Sequence, residues 1–277
     1  MAKLEYDAII RAALREDMPR GDVTSESVIP EGAVSEAMFL AKEGGVLAGL
    51  PVARRVLEIV DPDIDFHGKV QDGQEIRRDD ILARLKGSTV SLLKAERTAL
   101  NFLQRLSGIA TATRRFVEAV GGTKARILDT RKTTPGLRLL EKYAVRMGGG
   151  MNHRLSLSDM VLIKDNHIRH VGSIAEAVQR ARAKAPAGMK VEVEVTKLDE
   201  ARQALAAGAD IVMLDNMLLD EMKMVVELCA GRVPLEVSGN MTLERVREAA
   251  EIGVDFISVG ALTHSARALD ISLEFLS

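Results

Sequence analysis

The rhythm of apolar and polar positions changes near Gly121. Ahead of it, residues 6–14 carry apolar side chains at helical spacing, and Gly21-Asp22-Val23-Thr24-Ser25 interrupts with turn chemistry. Residues 37–41 and 45–49 predict short strands, and 51–60 a helix opened by Pro51. Residues 66–76 and 80–85 predict further strands, with Gly87-Ser88 as a turn. Over 92–120, Leu93, Leu100, Leu103, Leu106, Ile109 and Ala110 recur at three- and four-residue steps and predict a long helix. Strands and helices mixed without a regular beat suggest an α+β layer.

After Gly121, short apolar runs alternate with helical stretches. The runs are 127–128, 160–163, 191–195, 211–214, 235–237 and 256–259. Glu194, Asp215, Ser238 and Gly260 sit near the ends of the last four, 21, 23 and 22 residues apart. That length holds one strand, one helix and two loops. Residues 198–207 and 243–252 predict helices stopped by Gly208 and Gly253, and Ser173-Ile174-Ala175-Glu176 reads as a capping box. Repeated βα units with buried strands imply parallel strands covered by helices. Charged residues at the strand C-termini favour a barrel. An open doubly wound sheet is the alternative, but no Gly-x-Gly-x-x-Gly follows a strand.

Composition narrows the function. A chain of 277 residues fits one large domain or two unequal ones, and 47% apolar with 28% charged residues excludes a disordered chain. A net charge of −2, no Trp and only two Tyr argue against a nucleic-acid partner. The single cysteine, Cys229, excludes an intramolecular disulfide and a Cys-rich zinc site. No apolar run reaches the roughly 18–20 residues needed to span a bilayer, and acids near the N-terminus oppose a signal peptide. The expectation is a soluble cytoplasmic protein without a membrane partner.

Local charge is more informative than global charge. Nine Lys or Arg but four Asp or Glu lie between Arg126 and His170. Arg138, Lys142 and Arg146 suit a solvated helix face. Arg131 and Lys132 follow a strand directly, as does Lys164, so with His153 and Arg154 they are expected at the mouth of a barrel. Cations there need anionic partners, and a substrate bearing carboxylates and phosphates would supply them. Glu194 and Asp215 end adjacent strands and suit an oxygen-liking divalent metal or two sugar hydroxyls, though either could simply pair with Lys164. Ser238-Gly239-Asn240 and Gly260-Ala261-Leu262-Thr263 combine glycine with a helix start and read as phosphate sites. His67 and His264 read as structural or exposed, His170 is ambiguous, and His167 reads as a loop-orienting residue.

These segments resemble one family. Glu96-Arg97-Thr98-Ala99-Leu100-Asn101-Phe102-Leu103-Gln104, Ser107-Gly108-Ile109-Ala110-Thr111, Asp129-Thr130-Arg131-Lys132-Thr133-Thr134-Pro135-Gly136 and Asn152-His153-Arg154 are similar to quinolinate phosphoribosyltransferase. So are Leu162-Ile163-Lys164-Asp165-Asn166-His167, Glu192-Val193-Glu194, Leu214-Asp215-Asn216, Ser238-Gly239-Asn240 and Ser258-Val259-Gly260. The resemblance runs from Gly21 to the C-terminal segment, with few distinctive motifs over 33–90.

The resemblance implies an α/β chain in two parts. An N-terminal α/β sandwich domain over 1–110 would pack beside an incomplete α/β (TIM-like) barrel over 111–267, with the tail, 268–277, returning to the first. It implies conversion of quinolinate and phosphoribosyl pyrophosphate to nicotinate mononucleotide, pyrophosphate and CO₂ with Mg²⁺, a step of de novo NAD biosynthesis. Arg97, Arg131, His153, Arg154 and Lys164 would hold the quinolinate carboxylates, with Lys132 on the diphosphate side. Glu194 and Asp215 would bind ribose hydroxyls or Mg²⁺, directly or through water or substrate. Ser238, Gly239, Asn240, Gly260 and Ala261 would cradle the 5′-phosphate. Lys132, Lys164, Glu194 and Asp215 would be catalytic. A homodimer is implied, with Arg97 contributed in trans. Four rivals stay open at this point: a nicotinate-using transferase, a paralogue linked to molybdenum transport operons, a Schiff-base lyase with Lys164 as nucleophile, and a ligand-binding barrel without turnover.

Overall fold

The computed structural model describes residues 6–276. In chain order the elements are α1 (Asp7–Asp17), α2 (Val23–Val28), β1 (Val34–Ala41), β2 (Gly45–Val46), α3 (Leu50–Val60), β3 (Asp65–Gly68), β4 (Glu75–Ile76), β5 (Ile81–Ser88) and α4 (Thr89–Ala119). They continue with β6 (Arg126–Leu128), α5 (Arg138–Met147), β7 (Val161–Ile163), α6 (Asp165–Val171), α7 (Ile174–Lys184), β8 (Val191–Val195), α8 (Leu198–Ala206), β9 (Ile211–Asp215) and α9 (Leu219–Cys229). The last are β10 (Leu235–Ser238), α10 (Leu243–Ile252), β11 (Phe256–Ser258), α11 (Ala261–His264) and β12 (Ile271–Phe275).

The described residues form two compact units. One is drawn from Met1–Arg114, Thr133–Gly149 and Ser265–Ser277, the other from Arg115–Lys132 and Gly150–His264. The sequence reading ran the second domain unbroken over 111–267, whereas Thr133–Gly149, which carries α5, groups with the first unit.

The first unit is built on a four-stranded antiparallel sheet in the order β12-β1-β5-β3. Period-two alternation in β1 turns Ala37, Phe39 and Ala41 inward, each with no exposed surface. The C-terminal strand pairs with β1 in the register Ala41↔Ile271 and Ala37↔Phe275. Two sequence expectations change here. Gly87-Ser88 is strand rather than turn, with Ser88 opposite Val34. Gly87 is small because a Cβ there would lie 2.9 Å from Ile64, so this glycine marks close packing rather than a bend. Residues 66–76 form two strands, β3 and β4, separated by a turn in which Gly73 has φ +90°. Asp22 is an N-cap that accepts from Ser25 N–H at 3.0 Å, so the Gly21–Ser25 segment starts α2.

Nor is α5 a solvated basic helix. Glu141 and Lys142 are both buried, and Arg105 donates to Glu141 at 2.8 Å, while only Arg146 of the expected stripe is exposed. Arg146 lies over the Tyr143 ring, 5.7 Å from its centroid.

The second unit holds a six-stranded parallel sheet in the order β6-β11-β10-β9-β8-β7. That order is cyclic in sequence, with the closing pair between β6 and β7 missing, as an incomplete barrel requires. Met151 forms an isolated parallel bridge with Leu128 on the open side of β6. Val191, Val193 and Val195, with Val212, Leu214, Val237 and Ile257, face the helices and are fully buried. The alternate positions turn to the inside, where the chemistry lies. Among the described residues, no helix is long and apolar enough to cross a membrane.

Within the first unit, α4 runs tight against the C-terminal segment at Gly108, where a Cβ would lie 2.0 Å from the Arg267 carbonyl oxygen. Gly108→Ala should lower unfolding free energy by about 1–3 kcal/mol despite alanine's better helix propensity. Urea denaturation checks this, and an unchanged or raised midpoint would refute the close approach.

Candidate active site

The sequence places the strand ends of the second unit around one opening. The cavity there has a volume of about 500 Å³. Ten of the expected residues line it: Arg131, Lys132, His153, Arg154, Lys164, Glu194, Asp215, Ser238, Gly239 and Asn240. Gly260 and Ala261 are outside this lining. Gly260 instead leaves room for Lys132, whose Cδ would be 3.1 Å from a Cβ, and Ala261 opens α11. Arg97 lies on α4 in the first unit, its side chain 60% exposed and 3.9 Å from Glu96.

The cationic wall is held by buried backbone connections. Asp129, fully buried after β6, accepts from His153 N–H at 2.9 Å and from the Asn152 side chain. Asp159 accepts from Leu155 N–H and Ser156 N–H, folding the loop back, and Arg154 Nη1 donates to the Met160 carbonyl at 2.9 Å. Burial, and then the neighbouring Arg131, hold the Arg154 guanidinium below its ordinary pKa. Arg131 Nε is buried without a hydrogen-bond partner. A desolvated donor and two adjacent guanidinium groups describe a wall built for an anion.

The opposing acids end β8 and β9. Lys164 Nζ donates to Glu194 Oε2 at 2.6 Å, and Lys164 N–H donates to His167 Nδ1 at 2.9 Å. His167 therefore orients the lysine's backbone at the start of α6, as its spacing suggested. Asp215 Oδ2 accepts from Asn216 Nδ2 at 2.9 Å. Asn216 and Asn240 take left-handed backbone, φ +52° and +46°, and Gly239 has φ +100°. A Cβ on Gly239 would lie 2.2 Å from Asn216 Oδ1, so only glycine fits between strand end and asparagine. Asp215 and Glu194 present carboxylate oxygens suited to a hard divalent ion or to hydroxyl groups.

Below this rim His153 meets two acids, Glu192 and Glu236, that have no role in the sequence expectations. His153 Nε2 is 3.1 Å from Glu192 Oε2 and 3.5 Å from Glu236 Oε2, and Ser258 Oγ donates to Glu236 Oε1 at 2.5 Å. Glu192, Glu236 and Ser258 are all buried. Burial pushes the Glu192 carboxyl up to about 7, and burial followed by repulsion from Glu192 pushes Glu236 up to about 8. The ligand atoms of His153, Glu192 and Glu236 lie within 4.8 Å of one another. With His153 Nε2 at 3.1 Å from Glu192 and Ser258 Oγ at 2.5 Å from Glu236, these side chains form a buried polar network. The signal for it was present: Glu192 and Glu236 precede Glu194 and Ser238 by two residues, and period two puts them on the same inner face.

Because both carboxyls titrate above the ordinary value of 4.5, the native state binds more protons than the unfolded chain up to about pH 8. Their stabilising effect is complete below the ordinary value of 4.5 and is lost progressively as pH rises from there to about 8. Replacing both by Gln should flatten the fall of Tm over this window. A pH–Tm slope equal to wild type would contradict the protonated pair.

Comparison with known proteins identifies the family. Residues 22–107 match the N-terminal domain model of quinolinate phosphoribosyl transferase, and residues 109–274 match the C-terminal domain model. The chain is 44% identical over 273 residues to a probable carboxylating nicotinate-nucleotide pyrophosphorylase of Synechocystis sp., covering 98% of this chain and 92% of that one. It is 44% identical to the carboxylating nicotinate-nucleotide pyrophosphorylase of Mycobacterium leprae, with 99% of each covered. The crystal structure of NadC from Streptococcus pyogenes superposes with a TM-score of 0.96 at 45% identity, covering 100% of this chain and 99% of that one. The chain belongs to the quinolinate phosphoribosyltransferase family.

Proposed function

We propose that this chain converts quinolinate and phosphoribosyl pyrophosphate to nicotinate mononucleotide, pyrophosphate and CO₂, the quinolinate step of de novo NAD biosynthesis. The observation that carries the reading is a single cavity in which Arg131, Arg154 and Lys164 face Glu194 and Asp215. Arg131, Arg154 and Lys164 receive the two ring carboxylates, and His153 forms part of the same wall. Lys132 and the Ser238-Gly239-Asn240 turn meet the phosphates.

Positioning does much of the chemistry. The ring nitrogen is held against the anomeric carbon, the C–O bond to pyrophosphate breaks, and the N–C bond forms. Positive charge gathers on the ribose, where Glu194 and Asp215 bind its hydroxyls and stabilise it. Lys132 offsets charge on the departing diphosphate. The carboxylate beside the ring nitrogen then leaves as CO₂, its bonding electrons stay on the ring carbon next to the cationic nitrogen, and a solvent proton replaces it. The oxygen donors of Glu194 and Asp215 fit Mg²⁺, directly or through water or substrate, and the ion supplies charge neutralisation at the diphosphate.

Lys164 is engaged as a hydrogen-bond donor to Glu194, which suits an anion-holding ammonium better than the free amine of a Schiff-base nucleophile. Facing acids likewise have little use in a barrel that only senses anions. The exposed Arg97 suits a homodimer in which Arg97 of the partner subunit completes the carboxylate site.

Incubation with quinolinate, phosphoribosyl pyrophosphate and Mg²⁺ should yield nicotinate mononucleotide and one CO₂ per turnover. Turnover of nicotinate without CO₂ release would favour the monoacid transferase instead. Arg131→Ala and Lys164→Ala should each lower kcat/KM by about 100-fold or more while leaving Tm close to wild type. A wild-type rate in either variant would remove that residue from the site. Mixing Arg97→Ala with Lys164→Ala subunits should restore part of the activity through hybrid dimers. No recovery after verified subunit exchange would refute contribution in trans.

A further inference from the structure

A chain of hydrogen bonds runs beneath the cationic wall without itself being part of it. It starts at Ser258 at the end of β11, whose hydroxyl donates to Glu236 on β10. Glu236 is hydrogen-bonded to Glu192 on β8. Glu192 Oε2 meets His153 Nε2 at 3.1 Å, and His153 Nδ1 accepts from Arg154 N–H at 2.8 Å. Three strands that are not all neighbours are thus tied to one loop residue, and through it to the arginine that follows.

We infer that Glu236 and Glu192 are positioning residues of the diacid subsite: acting through the His153 imidazole, they fix the backbone and hence the guanidinium of Arg154.

The hydrogen-bond roles follow from elementary chemistry. Nδ1 accepts a hydrogen bond from Arg154 N–H, so the ring carries its proton on Nε2 and donates a hydrogen bond toward Glu192. The Glu192 and Glu236 carboxyl oxygens converge on that same imidazole nitrogen, at 3.1 and 3.5 Å. The other Glu192 oxygen, Oε1, is buried without a partner, so the carboxyl is held through Oε2 at His153. Both ring nitrogens of His153 are therefore committed to the protein. The histidine's influence on an anion passes through Arg154, whose Nη1 is in turn fixed on the Met160 carbonyl. A lesion at Glu236 should loosen the arginine more than the phosphate turn, which begins two residues further along β10 at Ser238.

The meaning of the diacid subsite rests on the proposed function, but the hydrogen-bond chain does not, and the test separates the two. Glu236→Gln retains a neutral donor toward Glu192 and an acceptor for Ser258, whereas Glu236→Leu keeps the volume and removes both. In the Gln variant, KM for quinolinate should stay within about twofold of wild type, and in the Leu variant it should rise about tenfold, with KM for phosphoribosyl pyrophosphate within about twofold in both. Nitrogen-15 NMR of labelled histidine should show His153 with Nε2 protonated in wild type and Gln, and should lose that signature in Leu. Should the Leu variant not fold, Ser258→Ala, which strips the terminal donor, should raise KM for quinolinate alone by about threefold. An unchanged His153 spectrum in the Leu variant, a Gln variant that loses the signature, or equal KM changes for both substrates would overturn the inference. If wild-type protein failed to turn over quinolinate, the proposed function would fall, and the His153 spectra would still decide whether the carboxyl pair sets the imidazole.

Discussion

Unpaired positive charge at the mouth of the parallel sheet is the constraint from which the site follows. Arg131 Nε is buried without a partner, and Arg154 is desolvated beside it. Lys164 alone of these three has a close carboxylate, Glu194 at 2.6 Å. A folded chain keeps such groups only where binding an anion repays the cost of withdrawing them from water. A ring with two carboxylates answers that need. Glu194 and Asp215, held on separate strands, remain available for the neighbouring sugar.

The carboxyl pair beneath the rim completes the electrostatics. Were Glu192 and Glu236 both ionised, the floor of the cavity would repel the diacid that its walls attract. Burial raises both carboxyls above their ordinary value, so the pair is not doubly ionised near neutrality. The same strands therefore serve two ends: valines facing the helices hold the sheet together, and polar residues two apart on the inner face build the site.

Much of this was legible in the sequence because the relevant signals are local and periodic. The apolar runs at even spacing located β8 to β11, and of the residues at their ends Glu194, Asp215 and Ser238 line the cavity while Gly260 does not. What was not legible depends on tertiary packing. Gly87 looks like a turn in sequence, but it is a strand residue pressed on Ile64. The i, i+4 stripe of Arg138, Lys142 and Arg146 looks solvated, yet Lys142 is buried, because periodicity gives a face and not what covers it. Glu192 and Glu236 were overlooked since acids inside apolar runs have no sequence mark of their own. Only the parity of the strand, combined with knowledge of which face is inward, identifies them.

The most direct test of the central claim is calorimetric titration of the wild-type protein with quinolinate and, separately, with the monoacid nicotinate. If the cationic wall exists for a dianion, quinolinate should bind about tenfold or more tightly than nicotinate. Equal affinity for the two acids would contradict the account.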